Sequence, residues 1–142
     1  MSRKKTVIVS VLAIIMLGIF LAVKEYNKPH INVADTKPDI ITNSQGLLED
    51  FQVNENSANK KYLDQIVQVS GRISKLEASE NNDIIITLLN DKSPLGTVIC
   101  HLSPDENKKL INLKEGQDII AKGICTGYLM DVILVRCVLV KI

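Results

Sequence analysis

Apolar and polar positions change rhythm several times along this chain. The first stretch has no rhythm: Thr6 to Val23, TVIVSVLAIIMLGIFLAV, runs 18 residues without a charge. As a helix rising ~1.5 Å per residue it would reach about 27 Å, close to the thickness of a bilayer's hydrocarbon core. Its β-branched residues are no obstacle in lipid, where an open segment satisfies its backbone only as a helix. Tyr26 to Ile41 has neither a helical nor a strand period and holds Pro29 and Pro38. It reads as a tether, residues 24–41 in all, whose Ile31, Val33, Ile40 and Ile41 offer apolar points for docking an extended segment. From Thr42 the period turns helical. Leu47, Leu48, Phe51 and Ala58 fall near one face, and Thr42, Asn43 or Ser44 can cap the start, so a leading helix is predicted over 42–61.

From Gln65 the period becomes two. Val67, Val69, Gly71 and Ile73 share one face of a strand, and Gln68, Ser70, Arg72 and Ser74 share the other. Gly71 inside it predicts a bend or bulge where one strand serves two neighbours. The turn EASENND precedes a second strand, Asp83 to Asn90, apolar on both faces. The turn DKSPLG precedes a third, Thr97 to Leu102. Ser103-Pro104-Asp105-Glu106 has the form of a capping box and opens a helix predicted over Pro104–Asn112. QDIIAKGICTG and VILVRCVLVKI are the fourth and fifth strands, joined by a turn near Tyr128 to Asp131.

Three strands, a helix, then two strands, with a bent first strand, is the order of a mainly β, five-stranded Greek-key barrel, the OB-fold, with the helix between strands three and four. An immunoglobulin-like sandwich would need about seven strands and no central helix. The expected organisation is a basic flank at 1–5, an anchor at 6–23, a linker at 24–41 and a barrel domain with a helical N-terminal extension at 42–142.

Charge adds an address. Arg3, Lys4 and Lys5 precede the apolar run, so the positive-inside rule keeps the N-terminus in the cytoplasm and sends the domain across the membrane. A cleaved signal peptide is the rival reading. The apolar run is longer than a usual signal core and no small-x-small site follows it, so an uncleaved anchor fits better. No cysteine precedes Cys100, which argues against lipidation at this end. The net charge of +1 over 142 residues gives no electrostatic argument for an acidic partner.

With these residues placed, the sequence resembles a bacterial family of exported or anchored OB-fold proteins, the tRNA_anti-like family. The likeness rests on Leu48 and Phe51, on ANKKYLDQIVQVSGRI from Ala58 to Ile73, and on VICHL, LKEGQDIIAKGICTG and VILVRCVLV. Its more specific positions are Ala58, Tyr62, Gly71, Gly116, Gly123, Cys125 and Cys137, and it covers about Thr42 to Ile142. The resemblance implies the fold and a periplasmic or extracytoplasmic domain on a bacterial cell membrane. It does not establish RNA binding.

OB ligands lie across strands two and three, framed by the neighbouring loops. That face offers Ile85, Thr87, Ile99 and His101, with Tyr128 and Met130 at its edge. Strands two and three hold no aromatic residue, and Glu77, Glu80 and Asp83 in the first loop repel phosphate. Stacking and cation contacts, the terms that hold single-stranded nucleic acid, are therefore weak here. The expected role is non-catalytic binding of an envelope protein, peptide or glycan. Nucleic-acid binding is the alternative, and a purely structural envelope module a further one. His101 follows Cys100 directly, so on a strand the two point to opposite faces, which disfavours a catalytic pair. His30 stands alone in the tether. Neither a metal nor another cofactor is expected, because no close ligand cluster occurs. Cys125 and Cys137 lie equally far from the last turn and would face each other in a simple hairpin, which makes them a disulfide candidate outside the cytoplasm. Cys100 with Cys137 is the rival pair, and three reduced core cysteines the plain alternative.

Overall fold

The structure, a computed structural model, describes residues 3–26, 31–80, 83–91, 95–106 and 112–141. The chain divides into two compact units, Met1–Ile31 and Asn32–Ile142. The first holds α1, Arg3–Tyr26. Its segment Lys5–Lys24 has a mean hydropathy of 2.9 and no buried residue, and it is long and apolar enough to cross a membrane. The Ser10 hydroxyl donates to the Thr6 carbonyl at 3.0 Å, so even this polar side chain is satisfied within the helix.

The second unit is a closed barrel with one added strand. In chain order it comprises β1 (Ile40–Asn43), α2 (Ser44–Val53), α3 (Glu55–Tyr62), β2 (Ile66–Ala78), β3 (Ile84–Leu88), β4 (Val98–Leu102), β5 (Asp118–Leu129) and β6 (Asp131–Lys141). The strands run β1-β2-β3-β4-β6-β5, and β5 returns to β2 to close the ring. This is the OB order anticipated from the sequence. The tether supplies β1 as a sixth strand.

β2 closes the barrel because it changes partners. Ile66–Arg72 pairs with β5, and Ile73–Ala78 pairs with β3. β1 runs parallel along Val67–Ser70, on the stretch of β2 that β3 does not reach. Gly71 stands just before the handover. A Cβ there would lie 2.8 Å from Ser44 Oγ and 3.2 Å from Leu88 Cδ1, so the start of α2 can approach only because this position is bare. The register irregularity comes slightly later, between Ile73 and Lys75. Val67, Val69 and Ile73 face the core as the alternation predicts.

The sequence predicts one leading helix, and the structure has two. Asn54 breaks it. Its backbone is extended, its N–H donates to the Asp50 carbonyl, and its side chain accepts from the Ser57 N–H. One residue thus ends α2 and caps α3. Asn43 caps α2 by accepting from Gly46 N–H at 2.7 Å. Leu47, Leu48 and Phe51 from α2, with Ala58 and Tyr62 from α3, are buried in the same core as Ile86, Leu88, Val98, Val132 and Leu134. The two helices are pinned at Asp50, which accepts from Tyr62 Oη at 2.6 Å and Lys61 Nζ at 2.9 Å. These bonds to Tyr62 and Lys61 hold the Asp50 carboxyl below the usual carboxylate range.

The last part of the tether is a strap on the barrel wall. Val33 packs with Ile66 and Val138 in a small second core, and Ile124 lies against it. Lys122 points out of the barrel but is buried under the strap. Its Nζ donates to the Ala34 carbonyl at 3.1 Å and the Thr36 carbonyl at 2.7 Å. Asp39 accepts from Ile66 N–H through its side chain and donates to the Ile66 carbonyl through its backbone, both at 2.8 Å. Of the four apolar tether positions, Val33 and Ile40 dock, while Ile31 and Ile41 are exposed.

Between β4 and β5, Pro104 to Glu106 form a 3₁₀ turn. The rest of the predicted helix up to Ile111, with Leu110, lies outside the described residues. The capping box is used differently from expectation. Ser103 N–H donates to the Cys137 carbonyl at 2.8 Å, and the buried Glu106 carboxylate accepts from Leu139 N–H at 3.0 Å. Both groups tie the connection to β6, where the sheet offers unpaired backbone.

Candidate binding surface

The outer face of β3, β4 and β6 is the barrel wall that no strap covers among the described residues. Ile86 and Leu88 of β3, and Val98, Cys100 and Leu102 of β4, point inward and are buried. The alternate residues point out and are half-buried. Ile85 pairs with His101, Thr87 with Ile99, and Ile99 with Ile133. Four sequence-predicted residues, Ile85, Thr87, Ile99 and His101, therefore share one face, and Ile133 extends it. On the β2 side, Lys75 lies beside Thr87 and Glu77 beside Ile85. These two form an ion pair at 2.7 Å, so that rim is electrically neutral.

Tyr128 and Met130 behave differently. Tyr128 is drawn toward the helices and stacks on Phe51 with centroids 5.6 Å apart, and Phe51 meets Tyr62 at 5.7 Å on its other contact. Its ring belongs to the barrel's plugged end rather than to the open sheet. Met130 is the exposed tip of the β5–β6 turn, with a positive φ of 68°. Beside them is a groove of about 420 Å³, lined by Glu55, Asn59 and Leu63 from the α3 region and by Thr126, Gly127, Tyr128, Leu129 and Ile133. Ile133 belongs to both, so stripe and groove are continuous. Sequence reasoning missed Leu63 and Ile133. The alternation of VILVRC marks Ile133 as outward, but its neighbours are set by the parallel pairing of β4 with β6.

The cysteines are not arranged as the simple hairpin predicts. Register shifts in the β5–β6 ladder place Cys125 opposite Leu134 rather than Cys137. Arg136, at φ 52°, is the irregular residue just before Cys137. Cys137 instead lies over Gly123, whose Cβ would run into the Cys137 sulfur. Cys100, Cys125 and Cys137 are all buried free thiols. Cys100 points into the core and His101 out of it, as their adjacency requires. Among the described residues no group of three His, Cys, Asp or Glu is placed to hold a metal.

Fold and face together define an OB barrel with an apolar, near-neutral outer surface. The chain belongs to the tRNA_anti-like family, whose profile matches residues 1–139 and so takes in the N-terminal helix as well as the barrel. No curated protein sequence matches it. Among solved structures it is similar to a candidate nucleic acid-binding lipoprotein from Klebsiella pneumoniae subsp. pneumoniae, with a TM-score of 0.59 and 18% identity. That match covers 81% of this chain and 100% of the other. It is also similar to a candidate aspartyl-tRNA synthetase from Leishmania major, at 11% identity and a TM-score of 0.45, over 87% of this chain and 26% of the other. The first likeness supports the fold, and the second is too distant to carry an argument.

Proposed function

We propose that this protein is a non-catalytic binding module, held at a bacterial cell membrane by α1, whose barrel takes a segment of an envelope protein, peptide or glycan on the outside of the barrel. The observation that carries the reading is the half-exposed stripe Ile85, Thr87, Ile99, His101 and Ile133 running into the groove beside Leu63 and Leu129. An uncovered apolar surface of this kind commonly marks an interaction site. The Lys75–Glu77 pair beside the stripe cancels and Glu55 lines the groove, which favours an uncharged partner surface over a phosphate backbone. The test is site-specific photo-crosslinking from position 99 of the full chain in native membranes, with position 60 on exposed Lys60 as control. A discrete adduct from position 99 alone is expected. Identical patterns from the two positions would remove the reading.

Nucleic-acid binding is the second reading, favoured by the description of the Klebsiella structural neighbour. Binding of the full chain to single-stranded oligonucleotides that falls steeply with salt would support it. Absence of binding at low salt would end it.

A further inference from the structure

Among the described residues of the barrel unit, the most exposed large apolar side chains are Leu129 (83%), Val53 (80%), Met130 (74%), Ile41 (70%) and Leu95 (69%). All but Ile41 sit on three neighbouring segments. Leu129 and Met130 form the β5–β6 turn, Leu95 belongs to the β3–β4 connection, and Val53 ends α2. These segments are tied to one another. Gln52 Nε2 donates to the Leu95 carbonyl at 2.6 Å. Asp131 accepts from the Thr97 N–H at 2.7 Å and from its hydroxyl at 2.8 Å. Gly96 passes so close to the turn that a Cβ on it would run into the Met130 carbonyl. Glu55, two residues after Val53, lines one groove with Leu129. The four side chains therefore form one apolar rim. Met130 holds a φ of 68°, a turn conformation that favours Gly or Asn, so the tip carries a large apolar side chain in spite of backbone strain.

The four side chains project from turns and from a helix end. Such tips suit a fluid lipid interface, which rearranges around them and takes apolar groups to a depth of about 5–10 Å. The chain itself keeps such a surface near. Lys24 ends the apolar segment of α1 and Asn32 begins the barrel unit, eight residue steps that reach at most about 28 Å however they run.

We propose that Val53, Leu95, Leu129 and Met130 insert into the headgroup layer of the membrane that α1 spans, so that the barrel rests on lipid by this rim. The inference rests on the anchor reading of α1. It adds a lipid contact to the partner surface on β3, β4 and β6, and Leu129 stands where the groove gives way to the rim.

The test uses the full chain in vesicles of phosphatidylethanolamine and phosphatidylglycerol, with a fluorescent amino acid at one position at a time. Positions 95 and 130 report the rim, position 118 the opposite end of β5, and position 14 the middle of α1. A lipid with a nitroxide on its headgroup should remove most of the emission at 95 and 130 and little at 118. The pair Leu129→Ser and Met130→Asn should abolish the quenching at 95 and leave the urea midpoint unchanged. Equal quenching at 95, 130 and 118, none at the rim, or quenching at 95 that survives the pair of substitutions would overturn the inference. Blue-shifted emission at 130 without quenching means that another copy of the chain covers the rim, and overturns it too. A mid-chain nitroxide at position 14 separates rim from anchor. Quenching at 14 without quenching at the rim overturns the rim contact alone. A quenched rim with an unquenched position 14 supports the rim contact and removes the anchor reading instead.

Discussion

Two walls of one barrel have been finished differently. Both have an inner face of fully buried aliphatic residues, Val67, Val69 and Ala121 on β2 and β5, and Ile86, Val98 and Cys100 on β3 and β4. On the β2–β5 side the outer face is closed. β1 adds a strand, Val33 covers Ile66 and Val138, and Lys122 is held by two carbonyls of the strap. On the β3–β4 side the outer face is equally apolar in sequence but stays half-exposed. Among the described residues, the cover lies on one wall only. The proposed binding role rests on this open apolar surface beside a closed one.

The comparison can be broken in several places. The largest effect belongs to the core both walls share. Phe51→Ala removes a ring packed between Tyr62 and Tyr128 and should destabilise the full chain by about 3–5 kcal/mol in urea titration in mild detergent. A loss below about 1 kcal/mol would mean the helices are not part of that core. On the closed wall, Lys122→Met leaves two strap carbonyls without their donor and should cost about 1–3 kcal/mol. Its sharper readout is protease cutting within residues 32–39, which should speed up while the barrel strands stay protected. Strap and barrel opening together would show that the cover is integral to the core.

On the open wall, Ile99→Ser should change stability by less than about 1 kcal/mol, since the side chain is already half in water. It should nonetheless weaken the adduct expected from the surface at a neighbouring crosslinker on Ile133. A stability loss as large as that of Phe51→Ala would mean this wall is covered after all. The smallest effect is electrostatic. The folded-state pKa of Asp50 is depressed by Tyr62 and Lys61, so its contribution is present above the ordinary value near 4 and is lost as pH falls below it. The site is open to solvent, so the change is small. Asp50→Asn should flatten the urea midpoint between pH 5 and 3 relative to the parent, and an unchanged slope would dismiss the pin.

Much of this architecture was legible one strand at a time. Alternation marked Val67, Val69 and Ile73 as inward, and Ile99 and His101 as opposite in sense to Cys100, because pleating obliges adjacent residues to face apart. The order of elements and the glycine in the first strand were enough to propose the barrel. The apolar run at Thr6–Val23 declared a helix suited to lipid, since nothing in that stretch could be solvated otherwise. Four residues of the candidate face followed from the same alternation.

What the chain did not disclose are relations between strands that are distant in sequence. The tether reads as featureless, yet Ala34 and Lys122 meet across 88 positions of chain. No local period encodes that encounter. Asn54 splits the leading helix because its side chain and backbone find caps on both sides, which competes with a continuous helical stripe. Equal spacing from a turn placed Cys125 opposite Cys137, but bulges shift a ladder by whole residues, and Cys125 stands opposite Leu134 instead. Sequence determined which side of each strand is apolar, because that depends on neighbours one and two residues away. Only the tertiary structure decided which strands lie side by side, in what register, and which apolar wall was left uncovered.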